Sequence, residues 1–126
     1  MNLDRTSIRP VIEGLVSEKK ITSEELFQNE TLRPIIKMQH DLLVAYFKEY
    51  ILSKKCKFNE LGELKQLDFI SAAFQKDIAF RSEIKGLIIG QLTVSEYNQY
   101  ITSKTDYNKR ILKMIQQRLV SVINLF

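Results

Sequence analysis

Residues 31–54, TLRPIIKMQHDLLVAYFKEYILSK, contain no glycine and a single proline, Pro34. Wound as a helix, they bring Leu32, Ile35, Ile36, Leu42, Leu43, Tyr46, Phe47 and Tyr50 to one broad face, at the i, i+3, i+4, i+7 spacing of a helix that faces a core. Lys37, Asp41 and Lys48 fall on the opposite side. Thr31 offers a hydroxyl for the N-cap, and Pro34 sits in the first turn, where its missing N–H costs nothing. A face this wide needs other elements to cover it, so the rest of the chain is organised around this helix.

The chain has 126 residues, with four glycines and two prolines. That length supports one core, and the scarcity of turn formers favours helices with short connections over a β architecture. No run alternating between apolar and polar residues competes with the helical periodicity. The expected fold is all-α: residues 1–126 as a single domain, a compact bundle of five or six helices.

A first helix is expected over residues 7–18, opening on SIRPVI, which echoes TLRPII at 31–36 as a similarly built helix start. Thr22 and Glu25 form a T-x-x-E capping box for a short helix carrying Leu26 and Phe27 and ending near Asn29. Lys55 to Asn59 reads as a loop. Leu64, Leu67, Ile70 and Phe74 stripe the next helix. Over residues 77–92 apolar side chains occupy most of the circumference, which predicts a buried central helix; whether it continues from the preceding one or breaks near residues 75–77 stays open. Ala79, Gly86 and Gly90 line up on its remaining side. Glycine inside a helix costs about 1 kcal/mol relative to alanine, so close approach of another helix is expected there. Residues 31–54 are the first choice of neighbour, the C-terminal helix the second, and a second copy of the protein the alternative. Thr93 and Glu96 form another capping box, and Ser103 with Asp106 a weaker S-x-x-D start. The last helix carries Leu112, Ile115, Leu119, Val122 and Phe126 as a bundle seam.

Chemistry-bearing residues are few. His40, the single histidine, lies at the edge of the apolar face on the side of Arg33 and Phe47. It reads as a general base or ligand, or as a boundary histidine with a bonded tautomer. A bundle di-iron site needs Glu-x-x-His pairs, and Lys37 occupies the required position. No metal and no cofactor is expected. Gln39 lies mid-face and needs a hydrogen-bond partner. Glu83 falls within the small-residue stripe, while Arg81 and Lys85 interrupt the apolar sides of the same helix. Either that helix reaches the surface, or these side chains meet Gln39, His40 or Asp77 in an internal polar cluster. Such a cluster would make His40, Gln39, Glu83 and Arg81 the catalytic candidates. Cys56 lies between Lys55 and Lys57, whose charges lower a thiol pKa, but no histidine is near it in sequence, so it reads as an incidental loop cysteine.

The net charge is +4, and the basic residues are interleaved with acids rather than gathered on one face. Nucleic-acid binding is therefore expected to be weak at most. GLIIG lacks the lysine and hydroxyl context of a phosphate loop. The single cysteine, and the lack of an apolar leader or a membrane-spanning run, point to the cytoplasm with no membrane partner.

The segments TLRPIIKMQHDLLVAYF, FQKDIAFRSEIKGLIIGQLTVSEYNQYI and NKRILKMIQQRL resemble a group of short all-helical bacterial proteins that carry a glyoxalase label. The resemblance covers most of the chain from Glu25 onward. The label fits these residues poorly. Metal-dependent lactoylglutathione lyases use several ligands on β-strands, the hydrolase partner a histidine-dense dinuclear motif, and the cofactor-independent type a cysteine on an α/β elbow. No catalytic residue carries over. The leading expectation is an interaction protein that self-associates, with Tyr97, Tyr100 and Tyr107 as interface aromatics. A weak nucleic-acid binder and an enzyme with a polar site around His40 are the alternatives.

Overall fold

The computed structural model describes residues 21–126, and the helix expected over residues 7–18 lies outside the described residues. The helical segments are α1 (Ser23–Phe27), α2 (Arg33–Met38), α3 (His40–Ser53), α4 (Glu63–Lys76), α5 (Ile78–Ile89), α6 (Val94–Tyr100) and α7 (Lys104–Ser121). The first three follow one another as a single interrupted rod, so five helical bodies make up the bundle. No strand occurs among the described residues, and the fold is all-α.

The rod begins earlier than Thr31. Thr22 starts it with the expected capping box: its hydroxyl accepts from the Glu25 N–H at 3.0 Å, and the Glu25 carboxylate accepts from the Thr22 N–H at 3.2 Å. Thr31 caps no helix. It lies inside a π-helical turn, Gln28–Leu32, in which the Arg33 N–H reaches back to the Gln28 carbonyl. Pro34 accounts for the turn. Proline offers no N–H to the carbonyl four residues back, and its ring collides with that carbonyl, so the helix widens just before it. A second irregularity at Gln39 (φ −91°, ψ 12°) separates α2 from α3. Leu32, Ile35, Ile36, Leu43 and Phe47 are buried as their spacing predicts. Leu42 is not; at 46% exposure it stands outside, because the buried face of α3 is centred on Leu43, Phe47 and Ile51.

Phe47 is the hub of an aromatic core. Its ring meets those of Phe58, Phe69, Phe80 and Phe126 at centroid distances of 6.4, 6.2, 6.0 and 4.9 Å. A smaller group forms where Phe27 tilts against Tyr107 at 4.7 Å and Tyr107 stacks on Tyr100. The helix at the centre is α7. It buries Tyr107, Ile111, Leu112, Met114, Ile115 and Leu119 and packs against α2, α3, α4 and α5.

Residues 61–92 are broken, not continuous. At Asp77 the backbone is extended, and its carboxylate caps α5 by accepting the Phe80 N–H at 3.1 Å. Leu64, expected in the α4 stripe, lies exposed in the first turn, and Ile70, Ala73 and Phe74 carry the burial. Thr93 and Glu96 close the capping box that opens α6. Ser103 does not cap α7; its hydroxyl donates to Glu24 at 3.0 Å, tying the start of α7 to α1, and Asp106 pairs with Arg110 at 2.8 Å. No helix among the described residues is long and apolar enough to cross a membrane.

Candidate functional site

The internal polar cluster does not form. Among the described residues no polar or charged side chain is fully buried. The antiparallel helices α3 and α5 satisfy their polar groups pair by pair along one seam. The Gln39 amide donates to the Leu87 carbonyl at 3.4 Å, the Tyr46 phenol to Glu83 at 2.5 Å and the Tyr50 phenol to Asp77 at 2.7 Å. Burial, reinforced by the carboxylates they face, pushes both phenols well above the usual tyrosine range, which keeps them protonated as donors. His40 turns away from this seam towards α7. Arg81 lies on the other flank of α5, its Nε buried without a hydrogen-bond partner. Lys85, one turn on, has its pKa lowered by burial and then by the neighbouring charges of Arg81 and Lys104.

Ala79, Gly86 and Gly90 face outward, and among the described residues no helix covers them. This corrects the expected close helix approach. α5 buries Phe80, Ile84 and Ile88 towards the core, and its contact with α3 runs through Tyr46 and Tyr50, so the opposite side stays bare. Among the described residues a methyl group at Gly86 would meet no atom within 4 Å, and at Gly90 it would crowd only the Gly86 carbonyl of the same helix, at 3.2 Å. Ile78, 77% exposed, Ser82 and half-buried Ile89 complete an uncharged strip, with Glu83 along one edge and Lys85 along the other. Tyr100 and Tyr107 are core residues rather than interface aromatics, and Tyr97 alone of the three is exposed.

A separate pocket of about 250 Å³ lies between α2 and α7, lined by Arg33, Ile36, Met114, Gln117, Arg118 and Ser121. Behind it, Nη1 of Arg118 is 3.3 Å from Nδ1 of His40. A guanidinium only donates, so Nδ1 is the acceptor in this contact. The Ser121 hydroxyl donates to the Arg118 carbonyl at 2.6 Å. Sequence reasoning placed His40 beside Arg33 but missed Arg118, which joins them from 78 residues further along the chain. No periodicity signals such a pairing. Cys56 is half-buried in a shallow hollow with Lys48, Ile51, Leu52, Phe58, Asn59, Leu125 and Phe126, without a histidine. Among the described residues no three His, Cys, Asp or Glu side chains gather as a metal site.

In comparisons with known proteins, no family model, curated sequence or solved structure matches this chain significantly.

Proposed function

We propose that this is a helical interaction protein that pairs with a second copy of itself through the outward strip of α5. One observation carries the reading: Ile78, Ala79, Ser82, Gly86, Ile89 and Gly90 form a side of a helix with no charge on it and open space above Gly86. Glycine at an exposed helical position costs about 1 kcal/mol relative to alanine, and close approach of a second backbone offsets it. The charged edges support the same partner. A two-fold axis running along α5 brings the Lys85 edge of one copy against the Glu83 edge of the other. Lys85, crowded by Arg81 and Lys104, gains a carboxylate there. The single cysteine fits a reducing compartment, and we assign the protein to the cytoplasm.

Sedimentation over a range of concentrations tests the proposal. The wild type is expected to dimerise as concentration rises, and Gly86→Leu to remain a folded monomer with an unchanged circular dichroism spectrum. A wild type that stays monomeric throughout overturns the reading.

A further inference from the structure

We infer that the pocket between α2 and α7 binds a small phosphate monoester. Arg33 and Arg118 both line it, and among the described residues neither is paired with a carboxylate. The contrast with Arg110, two turns earlier on α7, is direct: its guanidinium meets Asp106 at 2.8 Å and the Gln28 side chain at 2.9 Å. Two arginines without a carboxylate partner lining one hollow match a dianion, and their planar donor forks suit phosphate oxygens. His40 is a positioning residue. By accepting from Nη1 of Arg118 through Nδ1 it fixes that guanidinium, leaving the other donors free for the ligand. The exposed amide of Gln117 supplies a further donor, whereas the Ser121 proton is already committed to the Arg118 carbonyl.

The remaining wall defines the rest of the ligand. Ile36 and Met114 are buried side chains that present apolar surface to the pocket. A volume of about 250 Å³ lies below the usual range of drug-sized sites, roughly 300–1,000 Å³. That volume suits a phosphate with one short uncharged substituent. None of the lining residues belongs to α5, so the site shares no residue with the outward strip.

Calorimetric titration with phenyl phosphate, inorganic phosphate and benzoate tests the assignment. Phenyl phosphate should bind saturably and more tightly than either of the others, because it alone combines a dianion with an apolar group. Arg33→Gln and Arg118→Gln should each weaken it about ten-fold or more. Lys113→Gln, an exposed cation elsewhere on α7, should leave it unchanged. His40→Ala should weaken phenyl phosphate and inorganic phosphate by the same factor, as expected of a residue that acts through Arg118. Vesicles containing phosphatidic acid identify the source of the monoester. Binding to vesicles that is lost in Arg118→Gln assigns a lipid headgroup, and binding of phenyl phosphate without vesicle binding assigns a soluble ligand. Absence of saturable binding, or equal loss in Lys113→Gln and Arg118→Gln, overturns the inference.

Discussion

The phenol of Tyr50 donates to one oxygen of Asp77 at 2.7 Å while the other oxygen accepts the Phe80 N–H at 3.1 Å. One carboxylate thus starts α5 and fastens it to α3. Lys54 adds its charge 3.4 Å from the Tyr50-bonded oxygen. These partners, the Tyr50 phenol foremost, hold the Asp77 carboxyl below the usual carboxylate range.

A pH dependence follows from that depression. A carboxyl whose pKa is lower folded than unfolded stabilises the fold above its unfolded value, and the contribution disappears as pH falls through the folded value. The melting temperature should therefore hold from about pH 7 down to the ordinary carboxylate region near 4 and drop as the pH is lowered below it, through the depressed value of the folded carboxyl. Asp77→Asn keeps a capping oxygen but loses the charge, so part of that slope should vanish. Thermal melts of both proteins across the acid range give the comparison, and identical slopes would contradict the role assigned to Asp77.

What could be read from the sequence divides along physical lines. The capping boxes at Thr22 and Thr93 depend on residues three apart, and the stripes of α3 and α7 on helical spacing; both are local. The boxes are present, and the α7 stripe runs through Leu112, Ile115 and Leu119, whereas Val122 and Phe126, expected to continue it, lie beyond the helix end at Ser121. The phase of the rod is not local. A π-turn ahead of Pro34 and an irregularity at Gln39 rotate the buried face, which is why Leu42 stands outside although its spacing places it inside. The direction in which Ala79, Gly86 and Gly90 point was likewise illegible, since both sides of α5 are rich enough in small or apolar residues to be buried. Which side is covered depends on where Phe80, Ile84 and Ile88 find the core. The contact between His40 and Arg118 joins distant segments and leaves no pattern in either.

Two substitutions on α3 separate the inside of the rod from its outside. Phe47→Ala removes the ring that touches Phe58, Phe69, Phe80 and Phe126, and should cost about 3–5 kcal/mol. Leu42→Ala should change the stability of the monomer by no more than about 0.5 kcal/mol. Urea denaturation of dilute protein measures both. A large loss for Leu42→Ala would place the buried face of α3 differently.

Gly86→Ala distinguishes monomer stability from association. The added methyl meets no neighbour within 4 Å, so the isolated protein should gain up to about 1 kcal/mol in helix propensity. The same methyl holds two copies of α5 apart and should weaken the dimer. Unfolding at low concentration and sedimentation at high concentration should therefore move in opposite directions.

Glyoxalase chemistry is not expected. His40 is engaged with Arg118, and Cys56 shares its hollow with no histidine that could act as its base. Purified protein should show no turnover of methylglyoxal with glutathione and no stoichiometric zinc, nickel or iron. Turnover that tracks metal content and disappears in His40→Ala would reverse this view.

The charged edges of α5 give the sharpest test of the pairing geometry. If the two-fold axis runs along the helix, Lys85 of one copy faces Glu83 of the other, and each pair occurs twice. Reversing either charge replaces attraction by repulsion, so Lys85→Glu and Glu83→Lys should each weaken the dimer by about 1 kcal/mol or more, roughly five-fold in its dissociation constant. Glu83→Lys also removes the acceptor of the Tyr46 phenol, so its monomer should be less stable as well. The double reversal separates these effects. Exchanging both charges restores opposite signs across the axis while leaving Tyr46 without its carboxylate, so association should recover and monomer stability should not. An antiparallel arrangement of the two helices brings like edges together and predicts no recovery. Sedimentation of the four proteins, with a thermal melt of each at low concentration, decides between the two geometries.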